Sequence, residues 1–283
     1  SPNTDLAFKL MAGSGRRTPF MLMENIGYMA SSRNWIIDSS LYGIAGLMED
    51  VGQEYSWNIG LAILKEFTIF NREGTLTLDA YHTYFINQLV VDLYQSAREV
   101  HFYALDGNSY SNSIQAEINY DLNRRISIRT AYRYLDVKTD YVSNHSDFTT
   151  KDNPFVSKHR GFLNIDYKTR KKDDSQWKID LTSQWTGSQN LPFTGDNPDE
   201  FKLASSSPNY VLINGQITRI ANKTTELYLG LENALNFIQS NPVLSAENPT
   251  PVFISAVSKS TPSLIRSFTM ELRPLFVIIV IAT

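Results

Sequence analysis

The sequence predicts an all-β protein: an antiparallel transmembrane β-barrel. Two observations lead to this prediction. Apolar and polar residues alternate one by one through most of the chain, and short polar turns alternate with long loops. Alternation in a strand puts apolar side chains on one face and polar side chains on the other. Short turns on one rim and long loops on the other are typical of barrels that cross a membrane.

Trp177, Ile179 and Leu181 show the alternation clearly, because Lys178 and Asp180 stand between them. About ten segments of this kind are long enough to cross a bilayer as tilted strands. The predicted strands cover residues 5–13, 55–69, 75–93, 99–120, 125–138, 158–169, 176–187, 208–219, 225–235 and 264–273.

The predicted connections fall into two classes. The short polar turns are residues 71–74, 121–124, 170–175 and 221–224. The long loops are residues 14–54, 139–157, 187–207 and 236–263. Residues 94–98 are a short connection where a long loop is expected, and they lie between two unusually long predicted strands.

The composition agrees with a membrane barrel. The 283 residues include 15 Tyr, 15 Phe and 4 Trp, and Tyr and Trp favour membrane–water interfaces. The chain has no cysteine, which excludes disulfides, thiolate metal sites and a cysteine nucleophile. A net charge of −3 gives no basic field, so we expect no nucleic-acid partner.

In a barrel of this kind the apolar face contacts lipid and the polar face lines the lumen. A lumen with many charged side chains is wide and wet, because small barrels fill their interior with side chains. The charged residues predicted to face it are Asp79, Glu117, Arg129, Arg133, Asp180, Glu226 and Glu232.

Six segments resemble, in order, motifs of the barrel of TonB-dependent outer-membrane receptors of the Bacteroidetes type. The first, residues 13–19, resembles the G-x-[RF]-[RT]-[AT]-P signature, and we expect Gly15 to let the strand leave the sheet and Pro19 to stop pairing. Asn112 or Ser113 stands where the family usually has glycine. The other five segments are residues 24–28, 54–61, 77–85, 106–117 and 230–236.

The resemblance implies a 22-stranded barrel, an N-terminal plug and a TonB box in the whole receptor. It implies import of a scarce nutrient (siderophore-bound iron, cobalamin or a glycan) across the outer membrane of a Gram-negative bacterium. The expected partners are outer-membrane lipid, the small-molecule nutrient and the TonB system, reached through the N-terminal part. Residues 1–273 correspond to the C-terminal portion of that barrel, so we expect no transport by these residues alone.

The end of the chain departs from this pattern. Pro274 interrupts strand pairing, and residues 275–282 are apolar without alternation. The segment is too short for a spanning helix. We interpret residues 274–283 as an atypical apolar tail, of the kind that a frameshift produces.

We expect no enzymatic activity, cofactor or metal site. The four histidines have no metal-binding spacing. One alternative is an outer-membrane hydrolase barrel that uses His159 with Ser183 or Asn164; another is a soluble β-sandwich binding module. Aromatic residues in the long loops are the candidates for ligand contact: Tyr28, Trp35, Tyr42, Phe193 and Phe201.

Overall fold

The computed structural model describes residues 5–29, 33–38, 53–142, 148–223 and 225–239. The predicted strand 264–273, the tail 274–283 and most of the loop 236–263 lie outside these residues. The described elements are two single-turn helices, α1 (Met21–Glu24) and α2 (Ile26–Met29), and thirteen strands. The strands are β1 (Leu6–Arg17), β2 (Asn34–Ile37), β3 (Glu54–Ile69), β4 (Arg72–Asn87), β5 (Leu89–Asp92), β6 (Glu99–Ala104), β7 (Ser109–Asn123), β8 (Ile126–Val142), β9 (Phe148–Asp152), β10 (His159–Lys168), β11 (Gln176–Thr186), β12 (Tyr210–Ile220) and β13 (Glu226–Leu231).

Ten strands form one large antiparallel sheet, as predicted. Its order is β1-β3-β4-β7-β8-β10-β11-β12-β13, and β9 pairs with the end of β8. We call this ten-stranded sheet the wall. Along the order from β1 to β13, each strand pairs with the strand that comes next in this order, and the order follows the chain, which is the up-and-down pattern of a membrane barrel. Within the described residues β1 and β13 are the two ends of this wall and are not paired with each other.

The two faces of the wall differ in polarity because residues paired across strands share a face. Ile165 pairs with Leu181, and Tyr167 pairs with Ile179, so apolar side chains continue from strand to strand on the outer face. Leu181 is 45% exposed. An apolar surface this extensive on a soluble protein would drive association. Lipid is the medium that covers it without cost.

Aromatic side chains mark the two edges of the outer apolar face. At the loop rim, where the strands meet the long loops, the outer aromatics are Trp57, Tyr84, Tyr110, Tyr132, Tyr134 and Trp185. At the turn rim, where the short turns join the strands, the outer aromatics are Phe67, Tyr120, Tyr167 and Trp177. The members of such a pair, for example Trp57 and Phe67, are ten positions apart along the strand. On a tilted strand this spacing corresponds to roughly 25 Å, the height of the apolar band of a membrane barrel.

The turn rim carries four short connections, as predicted, but the first turn is tighter than expected. β4 begins at Arg72, so the turn is Phe70 and Asn71 and not residues 71–74. Both turn residues have positive φ, 51° and 57°, as a two-residue hairpin requires. Gly74 lies inside β4 instead, where the ring of Phe67 covers it so closely that a Cβ would stand 2.5 Å from the ring.

The predicted strands 75–93 and 99–120 are each divided in two, which is a correction. β4 ends at Asn87 and β7 starts at Ser109, so residues 88–108 form a long loop that contains β5 and β6. Residues 89–91 form an unbroken apolar run, which suits burial on both faces rather than one face in lipid. Residues 94–98 are therefore no exception to the alternation of short turns and long loops.

Two further boundaries differ from the prediction. β1 does not leave the sheet at Gly15: it continues to Arg17, which is paired with Glu54 in the register of β3. The Arg17 guanidinium donates to Glu54 Oε2 from Nη2 at 2.6 Å and from Nε at 2.9 Å, and this ion pair holds the strand end in place. β8 extends to Val142 and forms a hairpin with β9 inside the predicted loop 139–157. The described residues contain no helix long and apolar enough to span a bilayer.

Replacing Leu181 by arginine tests the orientation of the wall. A guanidinium on the lipid face near the membrane centre should lower the free energy of unfolding by about 2–4 kcal/mol. Urea titration in lipid vesicles, followed by tryptophan fluorescence, measures this change. The matched control is Gln184→Arg, which puts the same side chain on the opposite face of β11 and should change stability by less than about 1 kcal/mol. Equal effects of the two variants would contradict the assignment of the faces.

Candidate functional site

The long loops build a small folded unit at the loop rim. β2 pairs in parallel with β6, and β6 pairs antiparallel with β5, so segments of two different loops form one three-stranded sheet. We call this sheet, with residues 18–29, 33–38, 88–108, 153–158 and 187–207, the loop cap. Its central cluster consists of Leu89, Leu93, Val100 and Phe102. Phe102 and Val100 are fully buried.

The loop 187–209 is fastened to the loop 88–108 by hydrogen bonds. The Asp196 carboxylate accepts from the Ala97 N–H at 3.1 Å and from the Ser96 hydroxyl at 2.9 Å. The Phe193 N–H donates to the Leu93 carbonyl at 3.2 Å. Because these bonds join residues about one hundred positions apart, the loops form a continuous structure instead of separate flaps.

A buried carboxylate organises the second part of the loop cap. Asp92 is completely buried. Its oxygens accept from the Tyr94 N–H at 2.8 Å, the Gln95 side chain at 2.9 Å and the Tyr103 hydroxyl at 3.1 Å. A buried charge is tolerated only when its oxygens are satisfied in this way, so Asp92 fixes the path of the chain after β5.

Three tyrosines lie near this carboxylate, and the pKa of each is raised. Burial, and then the charges of Asp152 and Asp92, raise the pKa of Tyr94 to about 12. Burial also raises the pKa of Tyr103 and of Tyr141. Ionisation of these phenols is therefore disfavoured in the folded loop cap.

Lys158 ties the loop cap to the wall. Its Nζ lies 2.7 Å from Asp152 Oδ1 and 3.4 Å from Asp136 Oδ1. The hydrogen bond to Asp152 raises the pKa of Lys158. The ion pairs join β9 and the strand β8 to the segment that leads into β10, so the loop cap has a fixed position over the strand ends.

The face of the wall opposite the lipid is polar, and many of its side chains are paired. Arg129 donates from Nε to Glu117 Oε1 at 2.9 Å and from Nη2 to Glu117 Oε2 at 3.3 Å. Asn164 donates to Asp180 Oδ2 at 2.6 Å. Arg133 shares this face, because it lies four residues from Arg129 along β8, with Ala131 on the same face between them. The predicted polar lumen is therefore present along the described strands.

The structure separates the predicted ligand-contact residues into two groups. The Trp35 ring contacts the Phe102 ring in a tilted arrangement with centroids 4.8 Å apart. Tyr28 packs against the same cluster, so both residues help to hold the loop cap together. Phe193 is 41% exposed, and Phe201 is half-buried in a short 3-10 helix (Asp199–Phe201). Tyr42 lies outside the described residues. Ligand contact by these residues stays a prediction.

The residues of the hydrolase alternative do not come together. His159 lies on the outer face, where its Nδ1 is 2.7 Å from the Tyr132 hydroxyl and its ring contacts Tyr134. Asn164 points to the polar face, and Ser183 pairs with Leu163, four residues along β10 from His159. Among the described residues no group of three or more His, Asp or Glu side chains is placed to hold a metal ion.

Sequence reasoning missed Arg160 and Asp196. Arg160 stands directly opposite Arg133 across β10 and β8, which only the register between the strands reveals. Asp196 looks like an ordinary loop residue in the sequence, and its role depends on two distant loops meeting. Neither residue carries a local signal that could have identified it.

Raising the pH should loosen the loop cap before the wall. The pKa of a tyrosine in an unfolded chain is about 10, and that of Tyr94 in the folded protein is about 12. Neutral Tyr94 therefore contributes its full stabilisation of the fold below about pH 10, and this contribution is lost as the pH rises through about 12. Limited proteolysis of residues 88–108 and tyrosinate absorbance should both rise between pH 10 and 12. The variant Tyr94→Phe, which cannot ionise, should show a smaller pH dependence. An unchanged dependence would contradict the assignment to this tyrosine.

Comparison with known proteins agrees with this architecture. The structure of the copper transporter OprC matches with a TM-score of 0.56 and 11% identity, over 84% of this chain and 32% of that one. The siderophore receptor PiuA from Acinetobacter baumannii matches with a TM-score of 0.53 and 15% identity, over 83% and 30%. A mutant of the ferric enterobactin receptor PfeA from Pseudomonas aeruginosa gives 0.54 and 14%, over 84% and 34%.

These likenesses concern the fold, and the chain spans about a third of the length of each of these structures. No curated protein sequence matches the chain. The comparisons leave the Bacteroidetes-type detail untested, and it stays a prediction. A family model described as "TonB dependent receptor-like, beta-barrel" matches residues 4–234. This match covers most of the chain, so the chain belongs to the family of TonB-dependent receptor-like β-barrels.

Proposed function

We propose that this chain is the C-terminal part of the barrel of an outer-membrane receptor that binds and imports a scarce nutrient. The observation that carries the proposal is the loop cap: a folded unit that stands at the loop rim of a wall with a lipid face and a polar lumen face. Such a rim is where a solute outside the cell first meets a barrel. The similar structures of a copper transporter and of siderophore receptors support a metal-containing nutrient.

The proposed location is the outer membrane of a Gram-negative bacterium, with the long loops outside the cell and the short turns in the periplasm. The proposed partners are outer-membrane lipid, the small-molecule nutrient and the TonB system, which acts through the N-terminal part of the receptor. We propose no catalytic role for the chain.

For ligand contact we propose Phe193 and Phe201 first. Both belong to the loop 187–209. Phe193 is exposed, whereas Tyr28, Trp35 and Phe201 are half-buried. Tyr28 and Trp35 already pack against the central cluster of the loop cap. A ligand contact by these two requires the loops to move apart.

The absence of cysteine allows a direct test of orientation. A single cysteine is introduced at Phe193 in the loop cap or at Lys171 in the turn between β10 and β11. A membrane-impermeant maleimide added to intact cells should label Phe193→Cys and should label Lys171→Cys only after the outer membrane is opened. The parent chain without cysteine is the control. Labelling of both positions in intact cells, or of neither after opening, contradicts the proposed topology.

The nutrient is tested by uptake. Deleting the gene in its own host should abolish growth on one of three groups of limiting nutrients: ferric siderophores, cobalamin or oligosaccharides. Complementation with the whole receptor carrying Phe193→Ala should weaken that uptake, while the whole receptor carrying the matched change Phe70→Ala at an exposed turn should leave it unchanged. Loss of TonB should reproduce the deletion. Normal uptake of all three groups in the deletion strain contradicts the proposed import.

We also propose that these 283 residues do not import the nutrient by themselves. Unpaired backbone groups in lipid cost several kcal/mol each, and β1 and β13 present such edges within the described wall. The deletion strain that expresses only this chain should therefore show no TonB-dependent uptake. Uptake restored by the chain alone would contradict this proposal.

A further inference from the structure

A row of four polar side chains crosses the lumen face close to the loop cap. Gln115 on β7 pairs with Arg133 on β8, Arg133 pairs with Arg160 on β10, and Arg160 pairs with Thr186 on β11. Since neighbouring strands lie about 4.8 Å apart, the row is roughly 14 Å long. Arg160 is the second residue of β10 and Thr186 is the last residue of β11, so the row ends where the long loops begin.

The two arginines face each other without a counter-charge. Arg133 and Arg160 repel each other, and like charges directly opposite in a sheet destabilise it. Neither guanidinium makes a hydrogen bond or an ion pair with a side chain in the described ranges. The side chains of Gln115 and Thr186 also make no hydrogen bond there.

The carboxylate nearest in register to the pair is already occupied. Glu117 follows Gln115 on the same face of β7, diagonal to Arg133. Both of its oxygens accept from Arg129, and Oε1 also accepts from Asn119 at 3.1 Å. Arg129 thus occupies Glu117. The other carboxylate in line with the row is Asp79 on β4, the register partner of Gln115, and β7 lies between it and Arg133.

A second pair of like charges on the same strands has a different environment. Lys168 and Lys178 are register partners on β10 and β11, near the turn rim. The next lumen-facing positions on these strands are Asp166 and Asp180, so each lysine has a carboxylate on the diagonal, within reach of a long side chain. Each lysine thus has two carboxylates at neighbouring positions on its face, whereas the carboxylate diagonal to Arg133 is held by Arg129.

We propose that Arg133 and Arg160, flanked by Gln115 and Thr186, form a binding site for a small polycarboxylate on the lumen wall beneath the loop cap. A guanidinium presents its N–H groups in a planar fork that matches a carboxylate with two parallel hydrogen bonds. Two such forks on adjacent strands fit two carboxylates of one molecule. Gln115 and Thr186 supply neutral donors at the two ends of the row.

This inference rests on the proposed function, because it assumes that solute reaches the polar face of the wall. It narrows the ligand class from any nutrient to an anionic one. A neutral oligosaccharide would leave the arginine pair without a partner.

The probe for the test is tricarballylate, a tricarboxylate without a metal or a ring. Isothermal titration of the full chain in detergent micelles at low ionic strength should show binding, and added salt should weaken it. Arg133→Gln and Arg160→Gln should each weaken binding by about tenfold or more, the range expected for a lost charged hydrogen bond. Arg133→Lys, which keeps the charge and loses the fork, should give an intermediate loss.

The matched control is Lys178→Gln, which removes one positive charge from the same face near the turn rim. It should change the affinity by less than about twofold, because Lys178 lies near the turn rim, eight residues along β11 from Thr186, and an exposed charge at that distance contributes little. An equal loss in this variant would mean that only the overall charge matters, and would overturn the site. No binding by the parent chain would overturn it as well.

A second measurement uses the unmodified sequence, so it does not depend on the folding of any variant. Phenylglyoxal modifies accessible arginines, and mass spectrometry reports each position. Tricarballylate should protect Arg133 and Arg160 at least about fivefold more than Arg124, which lies in an exposed turn. Equal protection of all three would overturn the proposal. Failure of either measurement would leave the maleimide labelling and the nutrient uptake unaffected, so it is distinguishable from failure of the proposed function.

Discussion

The structure depends on one constraint: in lipid, every backbone N–H and C=O of a spanning strand must be bonded to a neighbouring strand. The antiparallel ladder from β1 to β13 meets this requirement along the described wall. Because side chains alternate between faces, each strand then presents one face to lipid and the other to the lumen. Leu181 and Gln184 on β11 show both outcomes three residues apart. The polar lumen is thus a consequence of the same ladder that makes the outer surface apolar.

A second consequence is that the compact apolar core lies outside the membrane. The described buried apolar residues, such as Leu93, Val100 and Phe102, belong to the loop cap or to the ends of strands beside it. The loop cap is therefore held by the forces of a small soluble domain: burial of apolar area and satisfied buried polar groups such as Asp92. The wall is held by its backbone ladder. Tyr94 and Tyr103, whose pKa values are raised, lie in the loop cap beside Asp92, and Tyr141 lies at the loop-rim end of β8.

The sequence predicts the wall well, since alternation is a local property of each strand. The strand that contains Trp177 and Leu181 could be predicted without information about the strands that pair with it. The boundaries at Gly15 and Asn87 could not be predicted in this way: Arg17 extends β1 because Glu54 is present across the sheet, and β4 ends where the following residues enter the loop cap. The lumen face of Arg133 was predictable from alternation. Its partner Arg160 was not, because the register between β8 and β10 is set by a long loop and not by a tight turn.

The parallel pairing of β2 with β6 has a consequence for the order of assembly. β2 precedes the wall strand β3, and β6 follows β4, so the two segments meet only after the hairpin formed by β3 and β4 has brought their ends to the same rim. Contacts between residues as far apart as Asn34 and Glu99 close a long stretch of chain and are slow to form. The loop cap is therefore a late product of assembly, and its apolar residues are exposed to the surroundings while the wall inserts.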